Sequence, residues 1–192
     1  MKGVPLTTLA YVVGIAIGDG NLSNPNGRAV RLRVTCDNKY PEIIDQVLSA
    51  VAKILPENKV TIIERKNCVD VSCYSNKLEK LLGWKAKGGS KHFQNVGVPL
   101  WIKRNRKYQI NCLRGLFQTD GCLYTDRGYR MINFVTIIPN LAEDVLEMIT
   151  KLGFNPRIYK LVKNHKIKNT KYTIRLAKNV NEFVKLIDFE KK

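Results

Sequence analysis

At 192 residues and 44% hydrophobic content the chain can bury a core as one domain or two small ones, while 33 Lys and Arg against 16 Asp and Glu leave a formal charge of +17. So large an excess repels itself in a compact state and points to a polyanionic partner rather than a neutral or acidic one. The longest early apolar stretch, Leu9 to Gly18, is half a bilayer span and ends at Asp19, which argues against an anchor or a signal peptide.

The elements expected in chain order form a repeat. A helix runs into "GIAIGDGN" (14–21), and a short strand and turn, "NLSNPNG", follows. A strand over 29–36, a helix over 40–55 with Pro41 near its start, strands over 59–65 and 68–74 and a closing helix over 75–83 complete the first copy. Residues 85–107, with Gly88-Gly89 and Pro99, carry the punctuation of a linker. The second copy begins with "GLFQTDGC" (115–122) and "CLYTDRG". It continues with a strand over 129–136, a helix over 138–154, strands over 156–163 and 171–177 and a helix over 179–187. The expected fold is therefore α+β: two pseudo-symmetric α-β-β-α-β-β-α subdomains, 1–84 and 108–192, joined by 85–107.

The repeated helix carries a small-residue stripe. Ala10, Gly14 and Gly18 recur every fourth position, and Asn111, Gly115 and Thr119 occupy the matching places, so two such helices can approach backbone to backbone at the centre of the molecule. Gly20 and Gly121 suit a left-handed helix-ending residue. Asp19 and Asp120 fall in the last turn, where the helix dipole already disfavours an acid. Two carboxylates beside two negative helix ends call for a cation, and a hard divalent ion held by carboxylate and carbonyl oxygens satisfies both.

Strand alternation separates the sheet faces. Arg31, Arg33 and Thr35 alternate with Leu32, Val34 and Cys36, and Lys171, Thr173 and Arg175 alternate with Tyr172, Ile174 and Leu176. The apolar faces require the amphipathic helices at 42–54 and 141–152; the cationic faces suit phosphates and base edges. Candidate DNA contacts in the first half are Arg28, Arg31, Arg33, Thr35, Arg65, Lys66, Ser72 and Tyr74. In the second they are Arg127, Arg130, Arg157, Tyr159, Lys163, Lys171, Thr173 and Arg175. Arg130 is in phase with Ile132 and Phe134, so it is expected at a sheet edge.

"VVGIAIGDG" (12–20) and "LRGLFQTDG" (113–121) resemble the two signature motifs of the LAGLIDADG homing endonucleases in their single-chain form, and the resemblance covers nearly the whole chain. It implies antiparallel sheets forming a DNA-binding saddle around a central pair of motif helices, with Asp19 and Asp120 as metal-binding catalytic acids and the Gly18 and Thr119 carbonyls as further ligands. It also implies Mg²⁺ as cofactor, with Mn²⁺ able to substitute and Ca²⁺ supporting binding without cleavage. The expected activity is site-specific hydrolysis of both strands of a long, roughly pseudo-palindromic double-stranded DNA target across the minor groove, leaving short 3′ overhangs, as in intron or intein homing. A lysine or polar residue beside each acid is expected to assist, the candidates being Lys103 and Lys107, with Asp37 or Asn38. Ile17 and Gln118 stand where the motif has an earlier acid, and Val13 and Arg114 replace its first alanine; Arg114 is expected to face solvent or DNA.

The alternative is an RNA-binding maturase of the same fold acting on intron RNA, and retention of both acids favours the nuclease. A transcription regulator reusing the fold is expected to add a helix-turn-helix segment, which this sequence has no room for. The protein is expected to be a monomer inside the cell, cytoplasmic in a prokaryote or organellar in a eukaryote, without a membrane partner. The five cysteines lack a CxxC pair and fit a reducing compartment, while His92 and His165 lack ligand spacing for zinc. Trp84 and Trp101 are expected to pack the linker down. The basic run over 160–172 reads equally as a solvated hairpin or a phosphate clamp, and Tyr74, Tyr159 and Tyr172 equally as core or interface.

Overall fold

The computed structural model describes residues 3–163, 165 and 167–189. Helix α1 (Leu6–Gly18) is apolar on nearly every side, and residues 9–17 are all buried, as befits a helix enclosed by both halves of the molecule. Strands β1 (Gly20–Ser23) and β2 (Arg31–Asp37) follow. Helix α2 (Pro41–Ile54) has its proline in the first turn, where a missing N–H costs nothing, and turns Ile43, Val47, Ala50, Val51 and Ile54 inward. Strands β3 (Val60–Glu64) and β4 (Cys68–Tyr74) and the short helix α3 (Leu78–Leu82) close the first half, with Gly83 at φ 94° ending α3 in the left-handed region.

Helix α4 (Leu100–Lys103) and the start of α5 (Arg106–Asp120) lie inside the span expected as linker. The Asn105 side chain caps α5, accepting from the Lys107 and Tyr108 N–H groups. Then come β5 (Gly121–Asp126), β6 (Tyr129–Thr136), α6 (Pro139–Lys151), β7 (Arg157–Leu161), β8 (Lys171–Leu176) and α7 (Val180–Leu186). Arg127 and Gly128 join β5 to β6 with positive φ at both positions (49° and 83°), the hairpin turn whose twist matches its strands.

Each half holds a four-stranded antiparallel sheet, in order β1-β2-β4-β3 and β5-β6-β8-β7. One continuous apolar core runs from α2 and the first sheet through α1 and α5 to α6, α7 and the second sheet. The linker is fastened to this body. Gln94 accepts from the Lys85 N–H and donates to the Lys85 and Gly89 carbonyls (2.9, 2.9 and 3.0 Å), and the Asp144 carboxylate of α6 accepts from the Val98 N–H (2.7 Å). Trp84 is buried and Trp101 meets Tyr108 edge to face, which packs the linker as its sequence suggests. Among the described residues no helix is long and apolar enough to cross a membrane.

Candidate functional site

Helices α1 and α5 meet through their small residues, in the most extensive contact between any two elements described. A Cβ on Gly14 would collide with the Cys112 carbonyl, and one on Gly115 would lie 2.5 Å from the Tyr11 carbonyl oxygen and 2.7 Å from the Ile15 nitrogen. Farther along, a Cβ on Gly18 would overlap the Thr119 hydroxyl and approach Asp120 Oδ2 to 3.0 Å. The last turns of the two helices therefore lie side by side, and the acid closing α5 reaches the end of α1. Close backbone approach leaves room for nothing larger than hydrogen at Gly14 and Gly115, whereas Gly18 faces the Thr119 and Asp120 side chains.

Gly20 and Gly121 correct the left-handed expectation. Asp19 caps α1 at φ −92°, Gly20 begins β1, and Gly121 is extended (φ −82°, ψ 145°). Glycine is required there because each strand folds back over the helix it leaves: a Cβ on Gly20 would stand 2.5 Å from Ala16 Cα, and one on Gly121 would strike the Phe117 carbonyl.

Two clefts open at the helix ends. One, of about 280 Å³, brings together Asp19, Thr119, Gln118, Cys36, Asp37 and Tyr40. The other, of about 480 Å³, joins Asp120 to Gly18 and is lined also by Lys91, His92, Thr136 and Lys171. Each cleft thus pairs one acid with the residue that precedes the other acid. Carboxylate and carbonyl oxygens of this kind form a hard donor set suited to a divalent ion of the Mg²⁺ class. In the first cleft, burial and then the Asp19 and Asp70 charges push the Cys36 thiol up to about 12, so it is neutral beside the acid.

Lys91 is the site residue that sequence reasoning missed. Its ammonium donates to the Ala16 (3.2 Å), Ile17 (2.5 Å) and Gly18 carbonyls at the end of α1. Burial draws its pKa down to about 8, against the opposing pull of Asp120 and then Asp19. The only sequence signal was a lysine two residues after a Gly-Gly pair, in a chain with 33 cationic side chains.

Lys103 and Lys107 stand elsewhere. Lys103 pairs with buried Asp144 and, at 3.4 Å, with Glu147 on α6. Lys107 is exposed in the first turn of α5. Fifteen residues of helix, roughly 22 Å at 1.5 Å per residue, separate that end from Asp120, so the expectation of either lysine beside the acids fails on position. Asn38 lies exposed just beyond β2, its amide 3.5 Å from the Arg65 carbonyl. Arg114, expected to face solvent or DNA, is mostly enclosed: it pairs with Asp188 at 2.9 Å, donates to Gln46 Oε1 at 3.2 Å and lies over the Tyr11 ring.

On the first sheet, Arg31, Arg33 and Thr35 lie opposite Tyr74, Ser72 and Asp70 of β4, on the face away from the buried Leu32, Val34 and Cys36. Asp70, fully buried, accepts from the Thr35 hydroxyl (2.7 Å) and pairs with Arg65 (2.5 Å). It shares this polar face with Asp37, in phase at the end of β2, as well as with the two arginines. Arg28 and Lys66 are exposed on flanking turns. On the second sheet, Lys171, Thr173 and Arg175 oppose Leu161, Tyr159 and Arg157. Arg175 stacks on Tyr159 (4.9 Å) and donates to Asn133, so Tyr159 belongs to this polar face, whereas Tyr172 alternates to the helix side. Arg127 sits at its turn and Lys163 beyond β7, both exposed; residues 164 and 166 of the basic run lie outside the described residues.

Arg130, second in β6, pairs with Thr125 of β5 but lies beyond the β6–β8 pairs, at the margin of the sheet as expected. It is as a DNA contact that it fails, because it donates to Asn181 of α7 at 2.8 Å. Its phase with Ile132 and Phe134 puts it on the helix side, away from Arg175 and Thr173.

A protein of two α+β lobes, meeting at paired helices that each deliver an acid, is the class this geometry defines. A LAGLIDADG-like domain model matches residues 107–188 and a WhiA LAGLIDADG-like domain model matches 8–96. The chain is a two-motif LAGLIDADG protein. Its fold is similar to that of the homing endonuclease I-DmoI solved with DNA and Mn (TM-score 0.66, 20% identity, covering 97% of this chain and 99% of that one). It is also similar to the N-terminal LAGLIDADG domain of DUF199/WhiA (TM-score 0.63, 14% identity, 97% and 84%). Curated relatives include the ATP-dependent DNA helicase Hel308 of Thermococcus kodakarensis, 21% identical over 86% of this chain. Another is the ribonucleoside-diphosphate reductase NrdEB subunit alpha of Bacillus subtilis, 26% identical over 79%. The chain spans only 14% and 15% of the length of these two relatives.

Proposed function

We propose that this protein is a site-specific, divalent-metal-dependent DNA endonuclease of the homing type, cutting both strands of one duplex as a monomer. The observation that carries the reading is the placement of Asp19 and Asp120 at adjacent helix ends, each in a cleft with the residue that precedes the other acid. Acids at negative helix ends are unfavourable for folding and gain a purpose from a bound cation. The two halves, 1–84 and 108–192, joined by 85–107, each contribute one acid and one cationic sheet face.

In this reading Asp19 with the Thr119 carbonyl, and Asp120 with the Gly18 carbonyl, hold Mg²⁺ or Mn²⁺, while Ca²⁺ supports binding alone. When bound, the metal activates water and offsets charge on the scissile phosphate. The protein's own part is positional. The helix pair fixes the carboxylates rigidly relative to each other, and the sheet faces hold the backbone through Arg31, Arg33, Lys171 and Arg175.

The I-DmoI structures solved with target DNA and with Mn, Mg or Ca support both the partner and the metal class. The curated matches support mobility: a helicase and a reductase share no activity by name, yet each carries a stretch resembling this chain within a much longer protein. A unit inserted in unrelated coding sequences has that distribution.

The test joins the two sequences that flank the coding element into one duplex and incubates it with protein and Mg²⁺ at low salt. Staggered cuts near the junction, with 3′ overhangs, are expected. An intact duplex together with tight binding to the intron transcript would replace this reading with the maturase. An intact duplex that the protein merely binds would leave a DNA-binding protein without nuclease activity, an outcome kept open by the fold it shares with the WhiA domain.

A further inference from the structure

The two clefts hold equivalent repeat positions and unlike charge. Asp37 joins Asp19 in the first, and among the described residues no lysine, arginine or histidine lines it. Lys91, His92 and Lys171 share the second with Asp120. Lys91 goes furthest, since an ammonium has three donors and this one is directed at three carbonyls, including that of Gly18.

The Gly18 carbonyl is also the oxygen that a metal in this half needs. An ammonium hydrogen-bonded to it and a divalent ion coordinated by it share one oxygen and repel each other at contact distance, so each weakens the other. The loop bearing Lys91 is held on both sides. The Val96 N–H donates to the Lys91 carbonyl (3.0 Å), Gln94 ties Lys85 to Gly89, and Asn95 is joined to Asn140 of α6. The backbone is thus anchored, and only the four-carbon stem is free to swing the charge aside.

We propose that Lys91 is a built-in counter-cation for the Gly18–Asp120 half-site, so that this half takes a divalent ion more weakly than the Asp19–Thr119 half and the two DNA strands are cut in a fixed order. The inference rests on the metal-dependent reading of the same clefts. The competing account makes Lys91 a helix cap alone, balancing the negative end of α1. A cap affects stability and leaves the two metal affinities as they were.

The test is Mn²⁺ titration of the full chain at low salt, read by the electron paramagnetic resonance signal of free ion. The wild type is expected to take one ion tightly and a second about tenfold more weakly, and Lys91→Met to tighten the second by about that factor, the consequence of removing one charge at contact range. Asp19→Asn in the wild-type background is expected to abolish the tight ion, and Asp120→Asn the weak one. These two variants assign each ion to its half, and Lys91→Gln, read the same way, replaces Lys91→Met if the latter fails to fold. Two equal ions in the wild type, loss of the tight ion in Asp120→Asn, or unchanged affinities in folded Lys91→Met would overturn the inference while leaving the nuclease reading intact. No manganese bound by any form would overturn both.

Discussion

Helices α1 and α5 occupy equivalent places in the repeat and are built from different materials. Every residue of α1 from Leu9 to Ile17 is buried. Helix α5 carries Arg114 and Gln118 where α1 has Val13 and Ile17, and it buries Gln109, whose amide donates to the Lys103 carbonyl at 2.6 Å. Its polar face is satisfied by partners. Gln118 accepts from the Tyr11 hydroxyl (2.7 Å) and donates to Gln46 of α2 (3.1 Å), while Arg114 reaches Gln46 and Asp188. Backbone contact at Gly14 and Gly115 is the symmetric part of the pair. Side-chain chemistry is the asymmetric part, and it ties α5 to the first half of the molecule.

The symmetric part should be the harder to disturb. Gly14→Val and Gly115→Val each force a branched side chain into the facing backbone, and a loss of about 3 kcal/mol or more is expected in urea unfolding, similar for the two. A small loss at either would mean that the helices can slide apart. Lys103→Met comes next, because it leaves Asp144 buried without its cation; the pair is partly exposed, so about 2 kcal/mol is expected, with DNA cutting retained by the folded protein. Loss of cutting at unchanged stability would restore Lys103 to the chemistry.

Tyr11→Phe probes the asymmetric part. It deprives Gln118 of a buried donor, and a cost of about 1 to 2 kcal/mol is expected in the same unfolding measurement. Smallest is the effect of single cations on DNA binding. Arg175→Ala is expected to lower the salt slope of binding by about one, and Arg130→Ala to leave it unchanged, because Arg130 serves Asn181 on the helix side. Equal slopes for the two would misplace the DNA face.

The repeat made the fold legible. Small residues at every fourth position and period-two strands are local patterns, and most of the elements they implied appear within a few residues of the expected bounds. Pro41 marked a helix start, and the phase of Arg31 and Arg175 selected the polar faces. What escaped the sequence depends on contacts between distant segments. Gly20 and Gly121 look like helix terminators, yet they are needed because a returning strand crosses the helix end. Arg130 carries the right charge, but its phase decided against it. Lys103 lies near the second motif in sequence and a helix length from its acid. Lys91, far from both acids in sequence, reaches the end of α1 and the Asp120 cleft because Gln94 and Asn95 pin its loop, a fact that composition does not encode.

Comparison of Asp19→Asn and Asp120→Asn with the wild type, on a duplex the wild type cuts, tests the central claim most directly. DNA binding would be measured in Ca²⁺ and strand cleavage in Mg²⁺. Removing one carboxylate charge at either helix end is predicted to leave binding in Ca²⁺ intact and to abolish double-strand cutting. Wild-type cutting of both strands by either variant would contradict the assignment of these acids as the catalytic centre.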